Sequence, residues 1–257
     1  MFPRRKLSSL LAASTVAAAF VVAGAVNVSA ASKSTCSGGT IAPGTYSSLT
    51  VAGFCSVAAG DVNVTGNLTV ASGGALLAAF SGSNLTVGGN LIGQSGAIVV
   101  LGCEPEAFPC FNGAGQTQHS VGGNLIGNGV LMMLAHASSI GGNVVQSGGP
   151  GVTCSIFPLG PDGPPAFSTY EDNVINGNAT VTGLRTCWAG FFRNQVGGNV
   201  IWSNNRLADE DGNEIANNAI KGNLNCVAND PAVQFGDSGG TPNSVGGRTN
   251  GQCTAVV

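Results

Sequence analysis

The chain has 257 residues, of which 41 are glycine and 8% are charged, and its formal net charge is -3. An acidic balance disfavours nucleic acid as a partner, because contacts to phosphates require a basic surface. The hydrophobic fraction of 43% also excludes a flexible glycine-rich linker and indicates a packed core.

Residues 1–30 have the pattern of a secretory signal peptide. Positive residues 4–6 precede an apolar run, Leu10 to Ala25, that is too short and too rich in small residues for a comfortable membrane span. Small residues up to Ala30 predict cleavage after that residue. A retained membrane anchor is the alternative, but no stop-transfer pattern follows. Cleavage removes three of the nine basic residues and no acidic one, which leaves six basic against twelve acidic residues in the domain predicted at 31–257.

A short repeat fills most of the predicted mature domain. Each copy has Val or Ile, one spacer, Gly-Asn and then a mostly aliphatic residue, and copies lie about 22 residues apart where no insert intervenes. The seven asparagines of this motif are Asn67, Asn90, Asn124, Asn143, Asn178, Asn199 and Asn223. An eighth copy has Arg248 at this position. The two longer intervals contain predicted loop inserts near 103–118 and 149–168.

The repeat predicts an all-β fold, a single-stranded parallel β-helix of about nine or ten rungs with Gly-Asn turns. Helical repeats need helix-forming residues, and leucine-rich repeats need a consensus that is absent. Gly and Asn tolerate left-handed backbone angles, so we expect this pair to turn the chain. Apolar runs such as Ile98 to Leu101 predict a second strand in several rungs. Stacking at about 4.8 Å would align the asparagines into a structural ladder of side-chain amides, although such a column could instead grip a ligand.

All eight cysteines follow the predicted cleavage site, and an even number in an exported chain predicts disulfide bonds. Spacing alone leaves the connectivity open, but proximity along the chain favours Cys36 with Cys55, Cys103 with Cys110, Cys154 with Cys187 and Cys226 with Cys253. The first and last pairs would close the two ends of the β-helix, where unpaired edges invite association. A zinc site is the competing hypothesis, but there is no Cys-x-x-Cys pair, and His119 and His136 do not have a ligand spacing.

Two clusters could bind a ligand or a metal. The aromatic residues Trp188, Phe191, Phe192 and Trp202 fall in one stretch and could form a platform on which sugar rings stack, or could cover a loop. The acidic segment predicts a weak calcium site with Asp209, Asp211 and Glu214 as ligands, or a solvated loop. No other cofactor is expected.

No catalytic residue is predicted. Paired carboxylates for glycoside hydrolysis are available at Glu104 and Glu106 and at Glu171 and Asp172. Neither pair can be assigned the separation that this mechanism requires. The two histidines have no identifiable serine or cysteine partner for nucleophilic catalysis.

The sequence Cys-Ser-Gly-Gly-Thr-Ile-Ala-Pro-Gly-Thr-Tyr from Cys36 to Tyr46, the repeated Val-x-Gly-Asn and the ending up to Gly251-Gln252-Cys253 carry a resemblance. Together with the signal peptide, they resemble a group of secreted, poorly characterised parallel β-helix proteins of actinomycetes and related soil bacteria. The resemblance covers almost the whole predicted mature chain and implies export and a β-helix, but no activity. More loosely, the fold resembles those of pectate lyases and of the bactofilin polymers, and no calcium-binding position of the pectate lyases can be matched.

The leading functional hypothesis is a non-enzymatic secreted or cell-surface protein. It would be a rigid monomer that interacts through its loops with extracellular polysaccharide or cell-wall components. The alternative is a carbohydrate-binding or polysaccharide-degrading protein, which the fold and the aromatic cluster favour. A filament-forming subunit is disfavoured because proline and cysteine residues close the predicted ends. Neither a nucleic-acid partner nor a membrane span after cleavage is expected.

Overall fold

A computed structural model describes residues 32–80, 82–103, 110, 116–236 and 239–257. The predicted signal peptide and the pair Glu104 and Glu106 lie outside the described residues.

Nearly all regular structure in the described residues is β, with one short 3-10 helix at Gln252–Ala255. The strands of the first half are β1 (Ser32–Cys36), β2 (Gly39–Ile41), β3 (Gly44–Val51), β4 (Phe54–Val57), β5 (Gly60–Val64), β6 (Leu68–Val70), β7 (Ala75–Ala78), β8 (Ser83–Val87), β9 (Leu91–Gly93), β10 (Ile98–Leu101), β11 (His119–Val121), β12 (Leu125–Asn128), β13 (Met132–His136) and β14 (Ser138–Ile140). Those of the second half are β15 (Val144–Ser147), β16 (Phe167–Glu171), β17 (Val174–Ile175), β18 (Ala179–Thr182), β19 (Arg185–Thr186), β20 (Trp188–Phe192), β21 (Gln195–Val196), β22 (Val200–Ser203), β23 (Arg206–Leu207), β24 (Asn213–Ala216), β25 (Ala219–Ile220), β26 (Leu224–Val227), β27 (Ser244–Val245) and β28 (Thr249–Gly251).

Strands pair in parallel from one repeat to the next. In the larger sheet, β5 precedes a Gly-Asn turn and pairs with β8, while β6 follows that turn and pairs with β9. Val64 therefore stands beside Val87, and Leu68 stands beside Leu91. The same pairing continues to β27 and β28, and a third row of strands, from β2 to β24, forms an eight-stranded sheet. This all-β arrangement is consistent with a β-solenoid and confirms the predicted fold class at that level.

The interior is apolar because side chains alternate between the two faces of each strand. In β6, Leu68 and Val70 are fully buried, whereas Thr69 between them is partly exposed. Residues at the inward positions join one core cluster that extends along the described chain from Ile41 to Val256. Burial of each Val or Leu side chain stabilises the fold by about 1.5 to 3 kcal/mol.

Strands β7 and β10 of the eight-stranded sheet are apolar on both faces. In β10, Val99 belongs to the inner core, whereas its neighbour Val100 belongs to a second buried cluster on the outer face. Cys103, Cys110 and the partly buried Leu159 join this second cluster from the two predicted inserts. The inserts thus help to cover an outer wall, which explains why these strands have continuous apolar runs rather than an alternating pattern.

The Gly-Asn turns do not use the left-handed backbone that the sequence predicted. The motif glycine Gly142 has φ outside that region, and a Cβ built on it would stand only 2.6 Å from Asn124 Oδ1 and 2.8 Å from the Gly123 carbonyl oxygen. Glycine is required here because the previous repeat packs against this position, and not because of the backbone torsion angles. Left-handed residues lie instead at the two other corners. Those that follow the eight-stranded sheet include Gly102, Ala137, Asp172, Arg193 and Asn217. Those that follow the strand after the motif include Gly129, Gly148, Gly183, Asn204 and Ala228.

The structure pairs all eight cysteines into disulfides. The pairs are Cys36–Cys55, Cys103–Cys110, Cys154–Cys187 and Cys226–Cys253, the same pairs that chain proximity favours. Four disulfides indicate an oxidising, extracellular environment. Among the described residues, no helix has the length and apolar character needed to cross a membrane.

Candidate functional site

The seven motif asparagines form a continuous column of hydrogen bonds. The backbone N–H of each asparagine after the first donates to the side-chain Oδ1 of the asparagine one repeat earlier, at 2.8 to 2.9 Å. From Asn124 onward the side-chain Nδ2 donates to the same Oδ1 at 3.0 to 3.2 Å. Arg248 continues the column through its backbone N–H alone, which donates to Asn223 Oδ1 at 2.7 Å. We call this column the turn ladder, and its amides are occupied by one another.

A second asparagine ladder runs through the interior corner and was not predicted. Its members are Asn173, Asn194, Asn218 and Asn243, all buried, with Nδ2 of each donating to Oδ1 of the next at 2.8 to 3.0 Å. The first three lie directly after a left-handed corner residue, and all four lie two residues before the Val or Ile of the motif. The signal Asn-x-Val/Ile is therefore present in the sequence, but only in the last four repeats. We call this column the inner ladder.

A third, shorter ladder occupies the remaining corner. Asn205 N–H donates to Asn229 Oδ1 at 3.2 Å, and Asn229 Nδ2 donates to Gln252 Oε1 at 2.9 Å. The inner ladder ends nearby, where Asn243 Nδ2 donates to the Val256 carbonyl at 2.6 Å. Residues 252–256 thus satisfy the last side chains of two ladders, which closes this end of the stack.

His119 occupies the inner-ladder position of its repeat and is structural. Its Nδ1 accepts the Leu85 N–H at 2.9 Å, so Nε2 carries the proton that it donates to the Ala78 carbonyl at 2.5 Å. Burial lowers the pKa of His119 to about 4 and keeps the ring neutral.

His136 is also buried and neutral. Its Nε2 lies 2.8 Å from Thr169 Oγ1 and 3.8 Å from Glu171 Oε1. Burial lowers the pKa of His136 to about 3, although the nearby Asp172 carboxylate opposes this shift. Both histidines are built into the wall, and we assign neither a proton-transfer role.

The carboxylates of Glu171 and Asp172 are held by one guanidinium. Arg193 Nη2 lies 2.8 Å from Glu171 Oε2, and its Nε and Nη2 bind the two oxygens of Asp172 at 2.8 and 2.7 Å. Burial raises the pKa of Glu171, and the hydrogen bond from Arg193 opposes that rise. The pair that the sequence offered for glycoside hydrolysis therefore serves to neutralise Arg193 across two repeats.

The predicted aromatic platform is wrong for three of its four residues. Phe191 and Trp202 are fully buried, and Phe192 is 6% exposed, so their rings cannot receive a sugar. The Trp202 indole N–H donates to Asn213 Oδ1 at 2.8 Å inside the core. Trp188 is partly exposed and stacks on Phe167 with ring centroids 4.2 Å apart. The aromatic cluster mainly fills the core and covers a wall.

The predicted calcium ligands line one small depression. Asp209, Asp211 and Glu214 border a cavity of about 250 Å³ beside Trp188. Glu214 belongs to β24 and is buried, whereas Asp211 is exposed and precedes that strand. Within the described ranges, no group of three or more His, Cys, Asp or Glu side chains is placed to hold a metal ion.

A separate groove of about 360 Å³ crosses four repeats on the outer wall. One side consists of the outward residues of consecutive paired strands, Val174, Gln195, Ala219 and Ser244. The other side consists of the spacer residues of the motif, Asn176, Gly197, Lys221 and Gly246. We call it the lateral groove. Sequence analysis missed it because the groove depends on which residues of neighbouring repeats are small.

Comparison with models of known protein families, with curated proteins and with solved structures finds no match to this chain. Function is therefore inferred from the arrangement of the chain's own residues.

Proposed function

We propose that the protein is a non-enzymatic secreted or cell-surface parallel β-helix that acts as a rigid scaffold and binds extracellular polysaccharide or cell-wall material through its outer walls. The observation that carries this proposal is the turn ladder. The side chains of all seven motif asparagines form hydrogen bonds between repeats, so the most regular polar feature of the sequence stabilises the stack instead of contacting a ligand.

Parallel pairing supports a single-stranded β-helix of nine or ten rungs. Successive segments pair from β1 through β3 and then repeat by repeat to β28. Each ladder hydrogen bond adds about 1 kcal/mol of net stability, and each disulfide adds about 2 to 4 kcal/mol on the chain-entropy model. Such a stack would hold its outer walls in fixed register, as a scaffold requires.

The proposed export rests on two features. Four disulfides fit an oxidising compartment, and residues 1–30 have the pattern of a cleavable signal peptide. Expression in a secreting bacterial host should release the protein into the medium with Ala31 as its first residue. Protein retained in the cells with Met1 intact would contradict export by this signal.

The non-enzymatic assignment is supported by the partners of the titratable side chains. His119 bridges two strands, His136 contacts Thr169, and Arg193 holds Glu171 and Asp172. These groups are committed to the fold and are not arranged as an acid and a base around an open site.

Binding and catalysis can be separated with one set of substrates. The purified protein should co-sediment with insoluble cell-wall or extracellular polysaccharide fractions and should release no reducing sugar from them. Release of reducing sugar would contradict the non-enzymatic assignment. Failure to co-sediment with any extracellular fraction would contradict the binding role.

A further inference from the structure

The lateral groove follows the stacking direction of the repeats. Val174, Gln195, Ala219 and Ser244 are consecutive partners in parallel pairs, so they lie about 4.8 Å apart along the groove. The groove therefore spans about 14 Å over four repeats, and an extended chain is the ligand shape that matches it. Its volume of about 360 Å³ lies within the range of small-molecule sites.

Small residues open this groove. A Cβ on Gly197 would stand 2.3 Å from the Asn176 carbonyl oxygen, so the backbones of adjacent repeats approach closely there. Ala219 likewise leaves room beside the larger Val174 and Gln195. Ile175, Val196 and Ile220 also border the groove, but their side chains are buried in the core. The exposed apolar side chains of the groove are therefore those of the outward residues Val174 and Ala219.

The polar side chains of the groove differ from those of the ladders. Asn176, Gln195 and Ser244 are exposed, and none of their side chains takes part in a hydrogen bond within the part of the chain that the structure describes. They offer amide and hydroxyl groups beside the apolar side chains of Val174 and Ala219, a combination that suits a sugar ring with its hydroxyl edge and apolar face.

The positive charge of the groove favours sugar chains that carry carboxylates. Lys221 is exposed and lines the groove, and no carboxylate lies among its described lining residues. This contrasts with the acidic balance of the predicted mature chain, which has six basic and twelve acidic residues. A carboxylate on the ligand would pair with the Lys221 ammonium without repulsion from the groove itself.

We infer that the lateral groove binds an acidic polysaccharide, with uronic-acid carboxylates near Lys221 and sugar rings packed against Val174 and Ala219. This inference rests on the proposed function, because it names the partner class and the wall that the scaffold uses.

The test uses polygalacturonate as the acidic probe, with its carboxyl-reduced form and polyglutamate as comparisons. We expect measurable binding of polygalacturonate to the purified protein, with weaker binding of both comparison polymers. Ala219→Trp fills the groove and should raise Kd about tenfold or more. Lys221→Met removes the proposed exposed ion pair between the Lys221 ammonium and a carboxylate of the ligand, and should raise Kd about two- to fivefold.

Matched variants control for bulk and charge. Asn225→Trp places the same ring on β26, outside the groove, and Lys33→Met removes a charge on β1. Neither should change Kd. Circular dichroism of all four variants should match the parent, because the substituted side chains point outward.

Three outcomes would overturn the inference. Polygalacturonate binding that Ala219→Trp leaves unchanged would place the site elsewhere, and the proposed scaffold would stand if cell-wall material still binds. If polyglutamate binds as tightly as polygalacturonate and Ala219→Trp weakens both, the groove recognises negative charge and not the sugar rings. Absence of binding to polygalacturonate together with absence of binding to any extracellular fraction would remove both the groove assignment and the proposed function.

Discussion

At the scale of single residues, the amides of the ladders and the glycines beside them depend on each other. Each motif glycine after the first lies where a Cβ would meet the asparagine Oδ1 of the previous repeat, as Gly198 does at 2.4 Å from Asn178 Oδ1. The glycine lets the repeats approach, and the asparagine uses the approach to form its bonds. The Gly-Asn pair is therefore kept together by stacking.

Substitution of Asn194 by Leu should destabilise the protein. Asn194 is fully buried, donates from Nδ2 to Asn218 Oδ1 at 3.0 Å and accepts from Asn173 at 2.9 Å. Leucine would leave these partners unsatisfied, at a cost of about 1 to 3 kcal/mol for each buried group. The neighbouring variant Gln195→Leu is outward and should change stability by about 0.5 kcal/mol or less. Equal urea midpoints for the two variants would contradict a stabilising inner ladder.

The buried histidines predict a loss of stability in mild acid. Their folded pKa values, about 4 for His119 and about 3 for His136, lie below the ordinary value of 6.5, so the unfolded chain takes up protons first. The free energy of unfolding contributed by the neutral histidines is fully present above about pH 6.5. As the pH falls, it decreases by about 1.4 kcal/mol per pH unit for each histidine until the folded pKa of that histidine is reached. Glu171, whose folded pKa is raised, offsets part of this loss at lower pH.

His119→Asn tests this assignment directly. Asparagine at the same column position in later repeats accepts a backbone N–H, as Asn173 does from Ser138 at 3.0 Å. The variant should retain that acceptor for Leu85 and lose about half of the pH dependence between pH 6.5 and 4, measured by urea unfolding. An unchanged pH dependence would mean that His119 is not the titrating group.

At the scale of elements, the sequence predicts some features of the strands and corners and fails to predict others. The turn ladder could be predicted because seven repeats carry the same residue at one position. Trp202 was wrongly predicted to lie on the outer surface. It stands three residues after Asn199, and Val70, which stands three residues after Asn67, is likewise buried. The inner ladder was missed because Leu85 and Ser138 occupy its positions in earlier repeats. The lateral groove has no sequence signal, since it arises from side-chain sizes on neighbouring repeats.

The last strands, β27 and β28, define an end that residues 252–256 close. Both strands pair on one side only within the described chain, and Cys253 is buried and bonded to Cys226. Changing Cys226 and Cys253 to Ser should loosen this closure and expose the strand edge, so light scattering should detect concentration-dependent oligomers.

The matched control changes Cys154 and Cys187 to Ser, which opens a disulfide of similar loop length that joins the second insert to the wall. This variant should remain as monodisperse as the parent. If both double variants stay monodisperse, residues 252–256 close the end without the disulfide. The argument from the disulfide against filament formation then fails.

At the scale of the whole molecule, the central claim is that the repeats form one continuous stack in which hydrogen bonds join neighbouring repeats at the turns as well as in the strands. Motif asparagines such as Asn143 and Asn178 lie outside the strands, yet their backbone N–H groups donate to side chains of the previous repeat. Turn amides that bond only to water exchange rapidly, whereas amides in a cooperative stack exchange only when the stack opens.

Native-state hydrogen exchange tests this claim most directly. We expect the amides of Asn143 and Asn178 to exchange as slowly as that of the strand residue Val144, and far more slowly than that of Asp162 in the second insert. Exchange of the two turn amides at the rate of Asp162 would contradict the turn ladder and the rigid scaffold that depends on it.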